Sequence, residues 1–534
     1  MTRPWSPQIA MVLHPSLPRP IQPATPRRPT PTPTMPEQRI TPRADDYAQW
    51  YQDVIAQAQL AEPAGVVRGC MVIRPHGFAI WEKMQADLDR RFKATGHQNA
   101  SFPLLIPMSF LAKEAQHVDG FAMECAVVTH SGLRATEGGL EVKNELEEPY
   151  VVRPTSETII GHFFSKWIDS YRDLPLLINQ WANVMRWELR TRLFLRTSEF
   201  LWQEGHTAHA SHEEAREEVE RMLNVYRDFA HEVMAMPVVR GIKTESERFA
   251  GAIETRCIEA LMQDGKALQA GTSHDLGQNF GRAFDVTFQN EAGERDHVWQ
   301  TSWGLSTRMV GALIMSHSDD DGLVLPPRLA PIHVVIVPIF RKDEEKARVL
   351  EAAQRLAAEL SDDGLVVKVD DRDGMKPGAK YYEWERKGVP LRIELGPRDL
   401  DSESVMTKLR VADVDERGKP VKNTLPMADL GVSVGQQLDG LQGLLFERAQ
   451  QRLDEQSVEV DSWDDFTDVF ADSGSKFVYA HWDGTTETES AIKDATKATI
   501  RCIPTDGDGP APEPGKCIKT GAPSAQRVLF AKNY

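Results

Sequence analysis

The sequence predicts an α+β protein: an antiparallel sheet with helices over residues 37–328, a small α/β domain over 329–435, and a small α+β C-terminal domain over 436–534. Three observations predict it. Between Tyr150 and Ser316, strand-length apolar runs follow one another with helices at intervals, without the regular βα alternation of a parallel nucleotide-binding sheet. After Arg328, the stretches IHVVIVPIF, 341–360, LVVKVDD, 380–387 and VPLRIELG alternate strand and helix as a βαβαβ unit. From Met427 to Val458 a mostly helical stretch leads into a last segment of ordinary domain size.

Taken in order, residues 1–36 hold eleven of the 34 prolines, four arginines and no acid. Such a segment buries too little apolar surface to order itself, so a disordered tail is expected, with translation from Met35 as the alternative. The prolines forbid the amphipathic helix that a transit peptide needs. DDYAQWYQDVIAQAQLA places Tyr47, Trp50, Tyr51, Val54 and Ala58 at helical spacing. VVRGCMVIRPHG reads as a strand and turn. FAIWEKMQADLDRRFKATG reads as a second amphipathic helix, with Ile80, Met84 and Leu88 on one face and Gly96 at its end. NASFPLLIP is a strand in which Pro103 fits an edge or a bulge. Segments 110–128 and 132–148 read as charged, less regular surface elements, and 150–152 as a short strand. Thr155 and Ser156 then open a helix, with Ser156 as N-cap and Glu157 at the positive end.

Residues 183–188 and 199–204 are β-type runs around a turn carrying Arg190, Arg192 and Arg196. A period of 2 puts Arg186 and Glu188 on one face of the first strand, and Trp202, Glu204 and His206 on one face of the second. A cationic loop over a charged, aromatic floor fits a polyphosphate beside a small zwitterion, because a guanidinium forks onto two oxygens. Standing alone, the same stretch reads sooner as an exposed charged hairpin. Downstream, 212–236 predicts a long charged helix with a solvated face, and 236–242 an apolar strand. Then come a helix over 249–264 ended by Gly265, strands over 266–277, 283–289 and 298–303, and a helix over 304–316.

A balance of 62 basic against 79 acidic residues gives a net charge of −17, which excludes a blanket nucleic-acid binder. Any RNA contact must come from locally gathered bases. Five scattered cysteines without a CxxC fit reduced thiols in the cytoplasm and not a disulfide framework. No apolar run approaches the ~18 residues of a membrane span, so no membrane partner is expected.

Four ordered motifs then agree. RWE (186–188) with LRTSEFLWQEGHTAH (195–209), RPTSE (153–157), QAGTSHDLGQNF (269–280) and SWGLSTRMVG (302–311) resemble the class II aminoacyl-tRNA synthetases, and specifically the prolyl-tRNA synthetases. The resemblance covers everything after about Asp45. It implies a class II synthetase catalytic domain, an α/β anticodon-binding domain and a C-terminal extension of archaeal/eukaryotic-like type, assembled as a homodimer through the motif 1 region around the second helix. It implies that ATP, with Mg²⁺, and L-proline form prolyl-adenylate, and that proline passes to tRNA(Pro).

By this resemblance Arg186 and Arg308 are the catalytic arginines, Arg186 bridging the substrate carboxylate and the α-phosphate. Glu188, Arg196, Thr197 and Phe200, with Gln269, Thr272 and Ser306, complete the expected ATP site. Thr155 and Glu157 receive the secondary ammonium of proline. Trp202, Glu204, His206, Ser273 and His274 wall its ring. Glu385, Arg392 and Arg398, in YYEWERKGVPLRIELGPRDL, are the expected anticodon contacts. No editing insertion fits between His206 and Ser302. Zinc-binding relatives carry four cysteines in the tail; here Cys502 and Cys517 remain, His481 adds one ligand and a fourth is missing, so no structural zinc is expected. RVLFAKNY implies that the last residues dock onto the catalytic domain, against the simpler reading that Phe530 only completes the last core. A threonyl- or glycyl-type synthetase is the alternative within the class, and a catalytically dead paralogue the alternative outside it. Trp202 and His206 leave no zinc trio for the first, and the presence of both Arg186 and Arg308 speaks against the second.

Overall fold

The computed structural model describes residues 39–115, 124–472, 474–505 and 507–534; the tail expected over 1–36 lies outside them. Helix α1 (Tyr47–Gln57) is capped by Asp46, whose side chain accepts from the Gln49 N–H, and it buries Trp50, Tyr51, Val54 and Ile55. Helix α2 (Pro75–Ala94) starts on a proline at its first position and buries Ile80, Trp81, Met84, Leu88 and Phe92 at helical spacing. A long hairpin, β1 (Val127–Thr136) and β2 (Gly139–Val152), occupies the stretch expected to be irregular. Both of its faces meet solvent, with Leu133 57% and Leu140 71% exposed, so the sequence shows none of the alternation a half-buried strand would carry.

Helix α3 (Glu157–Trp167) follows, then β3 (Leu176–Met185) and β4 (Glu199–His209), paired antiparallel from Leu176–Ala208 to Met185–Glu199. The first strand of the expected hairpin thus begins at Leu176 and stops at Met185. Helix α4 (His212–Glu232) is capped by Ser211. The expectation of a solvated face holds for one side only: Val219, Met222, Leu223, Tyr226 and Phe229 are buried against the sheet. Strand β5 (Val239–Ile242) leads to β6 (Glu254–Leu261), where a helix was expected. This is a correction with a physical cause. Strand β6 is central, flanked by β5 and β7 (Ala267–Gly277). Both its faces are covered, so its apolar residues run on without the period of 2. The expected strand over 283–289 divides into a short helix, Asn279–Ala283, and a strand, Thr287–Gln289. Strand β8 (Trp299–Ser306) is longer than expected, and α5 starts only at Arg308 (Arg308–His317).

The second domain forms as predicted. Strands β9 (Val334–Pro338), β10 (Val367–Val369) and β11 (Leu391–Leu395) are parallel, linked through α6 (Asp343–Asp362) and α7 (Pro377–Arg386), with antiparallel β12 (Ser404–Leu409) and β13 (Asn423–Pro426) added at one edge. Helix α8 (Leu430–Glu455) leads on to β14 (Ser457–Glu459), β15 (Phe477–His481), α9 (Thr486–Thr496), β16 (Thr499–Pro504) and β17 (Arg527–Ala531).

The C-terminal strands do not stand apart. The main sheet has eleven strands in the order β14-β15-β17-β16-β5-β6-β7-β8-β4-β3 and then the two-residue strand Gln98–Asn99. The join is β16 against β5, with Ile503 opposite Ile242 and Pro504 opposite Gly241. A side chain at Gly241 would place its Cβ 2.6 Å from Cys502 Sγ. At the sheet centre Gly205 does the same for Trp303, whose ring would lie 1.9 Å from an added Cβ. That glycine lets Trp303 pack beneath the sheet against Phe92 and Tyr226, and losing so large a buried ring costs about 3–5 kcal/mol.

Candidate active site

The sheet's other face carries two adjoining cavities, of about 400 Å³ and 200 Å³, which share Arg186, Trp202, Gln269, Thr272 and Gly304. The larger brings together both expected catalytic arginines, Arg186 and Arg308. Glu188, Arg196, Thr197, Phe200 and Ser306 line it as well. The smaller is lined by Thr155, Glu157, Glu204, His206 and His274. Ser273 is the exception: it lies between Thr272 and His274 on β7, opposite Trp303, and lines neither cavity. The period of 2 turns it to the far face.

That period alone would not let Gln269, Thr272 and His274 share a face. Pairing with β6 shifts at Ile258/Glu259, so that Gly271 faces Ile258 and Gln269 faces Glu259, leaving Ala270 as an extra residue. This bulge restores Gln269 to the site face. In the arginine-rich turn, Phe194 takes a left-handed φ of 62° and is buried in the core, which pins the loop from below.

Charges divide between the two cavities. In the larger, Arg186 Nε donates to the Pro154 carbonyl at 2.8 Å, and its guanidinium lies 5.8 Å from both the Phe200 and Trp202 rings. Burial pulls Arg186 below its ordinary value, opposed by Glu157 and Glu204. Burial, then Arg196, push Arg308 down to about 10. Arg196 Nη1 reaches Glu188 at 3.8 Å, while its Nη2 donates to the Tyr534 backbone oxygen at 3.1 Å. Three guanidiniums around one cavity make a concentrated positive field.

In the smaller cavity, Ser156 is not the side-chain cap expected of it: it makes no capping bond. Its hydroxyl donates instead to Glu204 Oε1 at 2.5 Å, which also accepts from Gln180 Nε2 at 2.9 Å. Glu204 Oε2 meets His206 Nε2 at 3.1 Å. Burial would raise Glu204, but His206 and these hydrogen bonds bring it down to about 2. Burial would lower His206, but Glu204, with Glu157 beyond it, raises it. Burial pulls His274 down to about 3, with His206 adding to the effect, so it is neutral at pH 7 and meets Thr255 Oγ1 at 3.0 Å. Thr155 Oγ1 donates to the Glu157 carboxylate. Lys243, Glu247, Phe249, Thr255 and Ser302 also line this cavity. Of these only Ser302 falls within a motif, as the first residue of SWGLSTRMVG, and it sits directly between His206 and His274 in the strand register.

In the second domain Glu385 and Arg392 meet: Arg392 Nη1 donates to Glu385 Oε1 at 2.6 Å and Nη2 to Glu394 Oε1 at 2.8 Å, and the guanidinium lies 3.8 Å from the Tyr381 ring. Arg398 is exposed, in the short helix Pro397–Asp401. In the tail, Cys502 is buried beside Cys257, and the paired thiols and burial push it up. Among the described residues no group of three His, Cys, Asp or Glu is placed to hold a metal. None of their helices is long and apolar enough to cross a membrane.

An antiparallel sheet carrying an Arg-x-Glu motif after one strand and an arginine where another strand enters a helix, over a cavity ringed by cations, defines a class II aminoacyl-tRNA synthetase core. Comparison with known proteins narrows this. Residues 140–317 match the tRNA synthetase class II core domain (G, H, P, S and T), residues 333–431 the anticodon binding domain and residues 463–534 the prolyl-tRNA synthetase C-terminal domain. The chain is 57% identical over 499 residues to the proline–tRNA ligase of Porphyromonas gingivalis, covering 93% of this chain and 99% of that one. It is likewise 57% identical over 500 residues to the proline–tRNA ligase of Flavobacterium johnsoniae, with the same coverage. A crystal structure of prolyl-tRNA synthetase from Cryptosporidium parvum with L-proline and AMP superposes with a TM-score of 0.83 at 37% identity, over 92% of this chain and 96% of that one. The chain belongs to the prolyl-tRNA synthetase family.

Proposed function

We propose that the chain ligates proline to tRNA(Pro) through prolyl-adenylate. The observation that carries this is the pair of cavities meeting at Arg186, one ringed by guanidiniums for a triphosphate, the other small and holding buried carboxylates for an ammonium. The proline carboxylate is already a nucleophile, so the step needs no general base. Its oxygen attacks the α-phosphorus and pyrophosphate leaves. Arg186 spans both cavities and holds the carboxylate and α-phosphate in line. Arg308 and Arg196 neutralise the leaving phosphates, and Phe200 lies beneath the base. Glu188 and Thr197 hold the adenine end; Thr272 and Ser306 complete the nucleotide site. Glu157, with Thr155, receives the proline N–H donors. Glu204 is saturated by Ser156, Gln180 and His206, so it acts by orienting His206 at the ring.

Magnesium that arrives on ATP supplies charge neutralisation. It would take the Gln269 carboxamide oxygen, which the two cavities share, as a protein ligand; among the described residues no group of three His, Cys, Asp or Glu is placed to hold it.

The domains run 37–328, 329–435 and 436–534, with Glu385, Arg392 and Arg398 meeting the anticodon. The chain is cytosolic and of the archaeal/eukaryotic-like type. The residues between β4 and β8 are spent on α4, β5, β6 and β7, which supports the absence of an editing domain. The tail folds without zinc. Within the tail Asp483 accepts from the Thr485, Thr488 and Thr520 hydroxyls at 2.8–2.9 Å. A homodimer forms through the α2 region, where Phe78 and Val72 are exposed.

Pyrophosphate exchange measured with each of the twenty amino acids tests the reading. Proline alone should drive it at low concentration, and Arg186→Ala should abolish it. Exchange driven by another amino acid, or undiminished in the variant, would overturn it.

A further inference from the structure

Residues 243–249 form one wall of the smaller cavity, to which they contribute Lys243, Glu247 and Phe249. The wall is fastened from two sides. From within the catalytic sheet, the Phe249 N–H donates to Thr255 Oγ1 at 3.0 Å, and the Phe249 ring lies 4.5 Å from that of His274. From the C-terminal module comes Glu489, in the first turn of α9. Its Oε1 accepts from Thr244 Oγ1 at 2.9 Å and its Oε2 from Ser246 Oγ at 2.7 Å. Glu489 and Thr244 are both buried. A buried carboxylate is costly unless its oxygens are satisfied, and both oxygens here are committed to a loop of the other module. Strand β16 adds a second fastening at the base of the loop. Arg501 Nη2 donates to Glu259 Oε1 at 3.0 Å, and Lys243 Nζ donates to the same oxygen at 2.7 Å and to the Arg501 carbonyl at 2.6 Å.

We propose that Glu489 is a positioning residue for amino-acid binding: by holding Thr244 and Ser246 it keeps the wall that bears Phe249 set against the substrate ring. The C-terminal module thereby tunes affinity for proline without touching it. This rests on the proline reading of the smaller cavity. If the wall is loosened, the competent fraction of the pocket falls and apparent affinity falls by the same factor. The larger cavity takes no residue from 243–249, so ATP binding is spared.

The test is Glu489→Ala in the full chain, with pyrophosphate exchange measured while proline and ATP are varied separately. The proline KM should rise about tenfold, with kcat and the ATP KM within about twofold of the parent. Glu489→Gln, which retains one acceptor oxygen, should recover part of the loss. The loop-side double variant Thr244→Val/Ser246→Ala should reproduce the rise, and adding Glu489→Ala to it should raise the proline KM no further, because both remove one contact. Should Glu489→Ala not fold by circular dichroism, the loop-side variant reads the same contact. A proline KM within about twofold of the parent in a folded variant overturns the proposal, as does a fall in kcat with both KM values unchanged. Exchange that is absent in the parent chain, or driven by another amino acid, would overturn the proline reading instead.

Discussion

At Arg308 folding and chemistry pull in opposite directions. Burial first, then Arg196 and Arg186, bring its guanidinium from its ordinary value down to about 10, opposed in part by Glu259. That value is far above neutrality, so Arg308 stays charged at pH 7. For a base, a folded value below the unfolded one costs stability at every pH below the folded value, and the cost is relieved only as pH rises through about 10. At about 1.4 kcal/mol per pH unit, the drop is a penalty on the order of 3 kcal/mol in the unliganded fold. A triphosphate in the cavity offsets it, because the like charges then face anions. Arg308→Met keeps the side chain's length and removes its charge. The unliganded variant should therefore melt no lower than the parent and should gain less from added ATP. Exchange should fall by a factor on the order of 10² to 10³, the loss expected for one charge-assisted contact to developing phosphate charge. Differential scanning fluorimetry with and without ATP, alongside pyrophosphate exchange, measures both. A variant that melts clearly lower without ATP, or that keeps exchange within about tenfold of the parent, would refute the electrostatic reasoning.

Three further outcomes follow from the same geometry. His206 is raised above its ordinary 6.5 by Glu204 against the effect of burial, so its contribution is complete below 6.5 and is lost as pH rises through the folded value; the melting temperature should fall over that window, and His206→Gln should flatten the slope in a pH series of melts. Arg398→Ala should raise the KM for tRNA in aminoacylation by about tenfold through loss of one contact to the nucleic acid while leaving proline-dependent exchange unchanged, and an equal effect on both reactions would remove it from the anticodon surface. Deleting Asn533 and Tyr534 removes the Arg196–Tyr534 hydrogen bond and the ring lying 5.1 Å from Lys266 Nζ and 6.0 Å from the Arg192 guanidinium; the freed arginine loop should raise the ATP KM several-fold, and unchanged ATP kinetics with unchanged stability would show the contact to be idle.

Much of the candidate site was legible because particular side chains stand close together in short, ordered motifs. Arg186, Glu188, Trp202, Glu204 and His206 carry their own signature, and the fold brings all five to the cavities. What escaped was local geometry that no residue type announces. Ser273 reads like its neighbours Thr272 and His274, and only the pleat turns it away. Gln269 reaches the site through a bulge at Ala270, which only the neighbouring Gly271 in QAGTSH signals. Ser156 has the chemistry of a cap, yet its side chain is turned to Glu204 and makes no capping bond, because the buried carboxylate must be hydrogen-bonded. Strand β6 read as a helix because both its faces are covered and its Glu259 is sunk between Lys243 and Arg501.

The deepest omission concerns the C-terminal module, because domain reading looks for where contacts stop and here they do not. Strand β5 has only four residues, and without β16 it would end the sheet as an open edge. Covering that edge brings Arg501 to Glu259, α9 to the loop after β5, and residues 532–534 to Ala267 at the opening of β7. The smaller cavity borders that loop, and the larger one borders β7 and the arginine turn. One strand pairing therefore places a single module against both cavities. Sequence composition separates the module from the catalytic core, whereas the hydrogen-bond ladder makes the two a single sheet.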